Sequence, residues 1–284
     1  MNLILGVLIV IGCLAGGYIW EGGHPMALFQ PAELLIIGGA GIGAFLISNP
    51  GRTLRECFHS LPRALKGSHY DLAYHMDALA LMYTLLAKVR KDGMISIEID
   101  VEEPGNSAVF SKYPKITSDV RVRDFICDYF RIIVTGNMNS YEIENLMDLD
   151  LDTASHSAKK PAEAFTYLAE SLPAFGIVAA VMGVVITMAF IGGPPEELGH
   201  KVAAALVGTF LGILLAYGFL GPIAKLLQNL AEEEEQFFTC LKTCIVAYLN
   251  GYPPKTVIEF GRMAMAPDIR PSFREVEDYC APRR

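Results

Sequence analysis

The stretch SLPAFGIVAAVMGVVITMAF, residues 171–190, holds no charged side chain, and three other long segments of the chain share that property. A helix rises about 1.5 Å per residue and the hydrocarbon layer is about 30 Å thick, so about twenty uncharged residues suffice to cross it. Leu3–Trp20, Leu34–Ser48, Ser171–Ile191 and Val202–Ala224 reach or approach that length. The second is the shortest, which puts Pro31 and Asn49 close to the two interfaces. In lipid every backbone polar group needs an internal partner, so these segments are predicted to be helices. A composition of 52% hydrophobic and 19% charged residues leaves room for a substantial aqueous part beside them. The expected architecture is an all-α integral membrane protein with four transmembrane helices. Residues 1–49 supply the first two, 50–170 a large helical cytoplasmic loop, 171–226 the last two, and 227–284 a helical cytoplasmic tail.

Orientation follows from the basic residues. Of the 23 Lys and Arg, all but Lys201 fall between Pro50 and Glu170 or after Ala224, with Arg52, Arg55, Arg63 and Lys66 directly behind the second span. The positive-inside rule makes that side cytoplasmic, so both termini and the large loop are expected there. The net charge of −8 is spread among bases in these aqueous parts, as on a solvated surface, and AEEEEQ at 231–236 reads as a helix extension leaving the membrane. Val10-Ile11-Gly12-Cys13 loosely resembles a lipoprotein cleavage site. No positively charged region precedes it, so an uncleaved span is expected.

The loop carries helical periodicity. Leu72, Met76, Leu79, Tyr83 and Leu86 recur at spacings of three and four within Tyr70–Arg90, before Gly93. Val122, Phe125, Ile126, Tyr129, Ile132 and Ile133 repeat the pattern within Ser118–Thr135, which breaks at Gly136-Asn137. Asn139 with Glu142, and Ser272 with Glu275, have the spacing of capping boxes. After the last span a helix is predicted to run to Tyr248 and end at Asn250-Gly251 and Pro253-Pro254.

Several chemistries find no support. GGAGIG at 38–43 lies inside an apolar run with the wrong spacing for dinucleotide binding. Gly12-xxx-Gly16, Gly39-xxx-Gly43 and Gly208-xxx-Gly212, with Gly176, are better explained as close helix contacts in lipid. The six cysteines lie in the first span or in expected cytoplasmic regions, and Cys240 and Cys244 lack partners to complete a zinc set. The six histidines are scattered and no nucleophile–base arrangement appears, so neither an enzyme, a metal site, a cofactor nor nucleic-acid binding is expected.

Four stretches together carry a resemblance. They are QPAELLIIGGAGIG, SLPAFGIVAAVMGVV, ALVGTFLGILLAYGFLGP at 205–222 and NGYPPKTVIEFGR toward the C-terminus. Over nearly the whole chain this resembles the MotA/PomA family of flagellar stator subunits, and most of all its proton-type branch. An ion-driven membrane machine needs a polar carrier at depth, yet the four segments as bounded above contain no Asp, Glu, Lys, Arg or His. The resemblance implies that the carrier is an aspartate on the single span of a partner, MotB, with five copies of this chain around two of MotB. It also implies that Pro173 and Pro222 couple protonation to loop movement, where the residues alone allow a plain helix start and a plain bend. Thr209 is implied to face the ion path, although it is equally able to bond the carbonyl of Ala205. Ala180 stands where sodium-type members carry threonine, which favours protons as the transported ion. Arg90 and Glu98 match charges that meet the rotor protein FliG. An energiser of the ExbB/TolQ type is the rival reading, opposed by four spans with both ends inside.

Overall fold

The computed structural model of the chain describes residues 2–136 and 138–280, and among them there is no β-strand. The helices are α1 (Asn2–Trp20), α2 (Pro31–Ser48), α3 (Gly51–Lys66), α4 (Leu72–Asp92), α5 (Glu98–Glu102), α6 (Pro114–Ser118), α7 (Val120–Thr135), α8 (Ser140–Met188), α9 (Pro195–Ile213), α10 (Gly221–Leu249), α11 (Pro254–Ala264) and α12 (Phe273–Cys280). A π-helical stretch, Leu214–Leu220, joins α9 to α10. Two compact units result, one from residues up to Gly67 with Ala158–Leu230, the other from Ser68–Ser157 with the residues from Ala231 onward. Helices α8 and α10 each contribute to both.

In the first unit four helices are long and apolar enough to cross a membrane. Several of the expected boundaries move, among them the start of the fourth span's helix, at Pro195 rather than Val202. Helix α2 starts at Pro31 rather than Leu34, because proline is pre-shaped for the first helical position and its missing N–H is not needed there. Its first turn therefore includes Glu33. The third span has no start at Ser171, since α8 runs from Ser140 through Pro161 and Pro173 to Met188 without a break. Packing within this unit is built on Phe45, Cys57, Ala164, Phe165, Ala224 and Leu227, with the Phe45 and Phe165 rings 5.8 Å apart. A smaller cluster joins Ile37, Leu172, Ala179 and Ala216. Ile4, Leu5, Leu8, Ile9 and Ile11 of α1 lie exposed, as a helix in contact with hydrocarbon requires.

The second unit has a core of its own. Leu79, Leu81, Met82, Leu85 and Leu86 of α4 pack with Phe110, Phe130, Phe237 and Phe238. The helix ends follow the cap chemistry written in the sequence. Asp71 accepts the Tyr74 N–H at 2.8 Å, and α4 stops at Gly93, whose φ of 85° suits a residue without Cβ. Asp119 accepts from the N–H groups of Arg121 and Val122 and also receives the Tyr74 hydroxyl at 3.0 Å. Asn139 and Glu142 bond reciprocally at 2.8 and 3.0 Å, and Ser272 and Glu275 at 2.6 and 3.4 Å. Gly136 ends α7 with φ 68°, while Asn137 beside it lies outside the described residues. The acidic run at 231–236 is more than a solvated face. Glu234 is buried against Arg121, and Glu235 receives the Ser155 hydroxyl at 2.6 Å. Cys240 donates to the Gly261 carbonyl at 3.2 Å, a packing role for that thiol.

His75 is 2% exposed, its edge against the Phe237 ring and its Nδ1 3.0 Å from the Asp71 carbonyl. Burial lowers its pKa from the ordinary 6.5, so the folded state holds a neutral ring that donates from Nδ1. The unfolded chain binds the proton more readily, and stability falls as pH drops through the unfolded value of 6.5. The thermal midpoint of the detergent-solubilised protein is therefore expected to fall between pH 7.5 and 5.5, roughly one unit either side of the imidazole value. In His75→Asn, which keeps a donor near Nδ1, the fall is expected to be shallower.

Candidate functional site

Of the expected site residues of the spans, all but Pro222 come together where α8 and α9 cross. A Cβ added at Gly176 would stand 2.9 Å from the Gly208 carbonyl oxygen and 3.1 Å from the Gly212 Cα. One added at Gly212 would meet the Leu172 carbonyl oxygen at 2.8 Å. One added at Gly208 would meet the Ala180 nitrogen at 3.2 Å, and one at Gly183 the Ala205 Cβ at 2.7 Å. The contacts step along α8 from Leu172 through Gly176 and Ala180 to Gly183, while they step back along α9 from Gly212 through Gly208 to Ala205. The two helices thus cross antiparallel with backbone on backbone, the approach that only small residues permit. Within this chain the other two expected glycine pairs make no such contact: a Cβ at Gly12, Gly16, Gly39 or Gly43 would find nothing within 4 Å among the described residues. Gly41 instead abuts the Leu172 side chain, with a Cβ there 2.8 Å from Leu172 Cδ2.

Pro173 lies in this crossing, next to the Leu172 carbonyl that Gly212 touches. It is an interior residue of α8 and not a helix start, so the carbonyl of Ala169 lacks its usual donor. Ala180 is half-buried and lies in the layer of Gly208. Thr209 is half-buried as well. Thr166 and Thr187 bond back to the carbonyls of Ala162 and Gly183, but the Thr209 hydroxyl makes no such bond to Ala205 among the described residues. Its oxygen stays available to something outside this helix.

Pro222 stands two residues past the end of the π-helical stretch Leu214–Leu220, with Gly221 between. There the Gly221 N–H donates to the Ala216 carbonyl, five residues back. A proline at 222 offers no N–H to Gly218, so the ladder upstream widens by one residue instead of continuing as an α-helix. A simple bend was the plain expectation from the residues, and the structure has a stretch of altered register.

One carboxyl escaped the sequence reading. Glu33, excluded when the second span was bounded at Leu34, is 8% exposed in the first turn of α2. An added Cβ at Gly208 would come within 2.6 Å of its Oε2. The spans are therefore not free of carboxylates. The signal was present in QPAE, since a proline suited to the first helical position puts Glu33 inside the helix.

Arg90 and Glu98 belong to the second unit. Arg90 is exposed in the last turn of α4, where a cation meets the negative end of the helix dipole, and Glu98 is exposed in the first turn of α5. Neither forms an ion pair among the described residues. Their surroundings are firmly held. Lys88 reaches Asp100 at 2.6 Å, Ser107 donates to the same carboxylate at 2.5 Å, and Arg131 donates to the Val101 carbonyl at 2.8 Å. Among the described residues no three of His, Cys, Asp or Glu converge as metal ligands would.

Two family models match the chain, Motility protein A N-terminal over residues 4–93 and the MotA/TolQ/ExbB proton channel family over residues 121–239. Motility protein A of Salmonella typhimurium is 48% identical over 98% of this chain and 95% of that protein. Chemotaxis protein LafT of Vibrio parahaemolyticus is 37% identical over 99% of each. Among solved structures, C. jejuni MotAB superposes with a TM-score of 0.79 at 20% identity, covering 95% of this chain and 98% of that one. The Bacillus subtilis flagellar MotAB stator complex gives 0.70 at 21% identity, covering 90% and 92%.

The crossing makes a direct expectation. Gly212→Val places a branched side chain against the Leu172 carbonyl and the Gly176 Cα, and overpacking of this kind costs about 1–3 kcal/mol. Detergent-titrated unfolding is expected to show that loss, with less protein in the membrane; an unchanged unfolding curve would contradict the contact.

Proposed function

This chain belongs to the motility protein A family of the MotA/TolQ/ExbB proton channels, and from that membership we propose that it is a stator subunit of the bacterial flagellar motor. Together with MotB it conducts protons across the inner membrane and converts their flow into torque on the rotor. The observation that carries the reading is the match over the full length, spans and aqueous unit alike. The motility-specific match at the N-terminus separates it from the ExbB/TolQ energisers.

In this reading α8 and α9 form the wall of the path, and the carrier is an aspartate on the span of MotB. Five copies of the chain surround two of MotB, with both termini in the cytoplasm as the distribution of basic residues supports. Thr209 and Ala180 face the partner's span. A methyl at position 180 gives a dehydrated sodium ion no oxygen, whereas a proton needs only a carboxylate and a water path. Each proton releases about 2.3 kcal/mol per 100 mV of membrane potential. Pro173 and the register change ahead of Pro222 are the places where that energy bends the helices. Arg90 and Glu98 meet opposite charges on FliG. Exposed pairs are individually worth about 0–1 kcal/mol, which suits a contact made and released repeatedly around a ring.

Two experiments test the reading. Swimming is expected to stop with a protonophore and to persist when external sodium is replaced by potassium; loss of motility on sodium removal with no effect of the protonophore would overturn the proton assignment. Arg90→Glu combined with Glu98→Lys is expected to reduce swimming severely while the complex still reaches the membrane at its normal level. Opposite charge reversals on the rotor are expected to restore part of the speed.

A further inference from the structure

The reading above puts the titrating group on the partner and leaves a carboxyl of this chain without a role. Glu33 is buried, and its Oε2 has no hydrogen-bond partner among the described residues. Leaving an ionised carboxylate buried and unpaired costs several kcal/mol, and an apolar residue of similar size would fill the space without that cost. Packing therefore does not account for a glutamate here. What faces it is equally specific. On α8 the neighbour is Gly183, where a Cβ would lie 3.7 Å from Oε1, and on α9 it is Gly208, where a Cβ would lie 2.6 Å from Oε2. The facing stretches, 172–188 of α8 and 202–213 of α9, contain no Asp, Glu, Lys, Arg or His. Two glycines thus hold open the space that the carboxyl occupies.

Its depth matters as much. Gly183 stands five residues before the end of α8 at Met188, which at about 1.5 Å per residue is about 8 Å below that end. Gly208 touches the backbone of Ala180 and precedes Thr209. Glu33 therefore shares a layer with the two residues assigned to the path, on the side where α2 enters the bilayer.

We propose that Glu33 is a second proton-binding group of the path, carried by this chain on the outer side of the partner's carboxylate. The proposal rests on the proton-conducting reading. An O–H bond forms at Oε2 as one breaks on a hydronium ion, which leaves as water. That O–H bond then breaks as one forms on the partner's carboxylate, and Glu33 returns to its ionised form. No electron changes hands. A metal cation is a poor alternative occupant, because the glycines against the carboxyl bring no further side-chain oxygens.

The test uses the full complex with the partner, in cells and purified. Glu33→Gln keeps the shape and cannot titrate. It is expected to reach the membrane at the normal level while swimming speed falls roughly tenfold or more, the scale on which a positioned proton-transfer group contributes. Glu33→Asp is expected to keep part of the speed. In pH-difference infrared spectra the purified wild-type complex is expected to show a protonated-carboxyl C=O band that shifts in deuterium oxide, moves in Glu33→Asp and is missing in Glu33→Gln. Should Glu33→Gln fail to assemble, the shift of that band in Glu33→Asp decides. Normal swimming of Glu33→Gln, or an infrared band unaltered by either substitution, would overturn the proposal. Swimming of the wild type that survives a protonophore would instead overturn the proton reading beneath it.

Discussion

The contact on which the rest of the membrane unit depends is the meeting of two backbones without side chains between them. Lipid tails are as apolar as leucine, so burial alone gives helices in a bilayer little reason to associate. Close approach of main chain to main chain supplies the attraction, and Gly176, Gly208 and Gly212 allow it. Because the contacts repeat along both helices, the crossing also sets their register. That register brings Ala180 beside Gly208 and Pro173 beside the carbonyl that Gly212 touches, and it leaves the cradle in which Glu33 sits. A side chain at any of the three glycines would move all of these together.

Around this fixed crossing lie places where the helical ladder is incomplete. Pro173 leaves one carbonyl of α8 without its donor, and the stretch before Pro222 is wound with a register one residue wider. A backbone hydrogen bond contributes about 1 kcal/mol net, while a proton crossing 100 mV releases about 2.3 kcal/mol. The energy of a single ion is thus comparable to remaking one or two such bonds. A continuous, fully bonded helix would resist so small an input, whereas a helix already loosened at one point can respond to it. In the proposed function, the ion path and the places that respond to it lie on α8 and on the continuous run from α9 into α10.

Much of this was legible in the sequence because it rests on local rules. Uncharged length marks the spans, and the caps at Asn139–Glu142 and Ser272–Glu275 are written in adjacent residues. What was not legible depends on competition between rules. Pro173 looked able to begin a helix, but the residues before it are strong helix formers and α8 continues through it. The π-helical register before Pro222 has no residue pattern of its own, since any apolar run accommodates it. Helices α3 and α11 are short, but each carries an apolar face, Leu54, Cys57, Leu61 and Ala64 in the one and Val257, Ile258 and Gly261 in the other, that the sequence reading does not use. A charged residue next to an apolar run, such as Glu33, ordinarily reads as the edge of a span. Pro31 places Glu33 within the helix, but its burial against two glycines shows only in the packing of α2.

The central claim is that this chain and a single-span partner form a path for protons. It is tested most directly by placing the purified complex in sodium-free liposomes that contain a pH-sensitive dye, and imposing an inside-negative potential with potassium and valinomycin. The account predicts acidification of the interior that depends on the complex and vanishes when the partner's intramembrane aspartate is replaced by asparagine. An interior pH that stays constant until sodium is added, or acidification indifferent to that replacement, would contradict it.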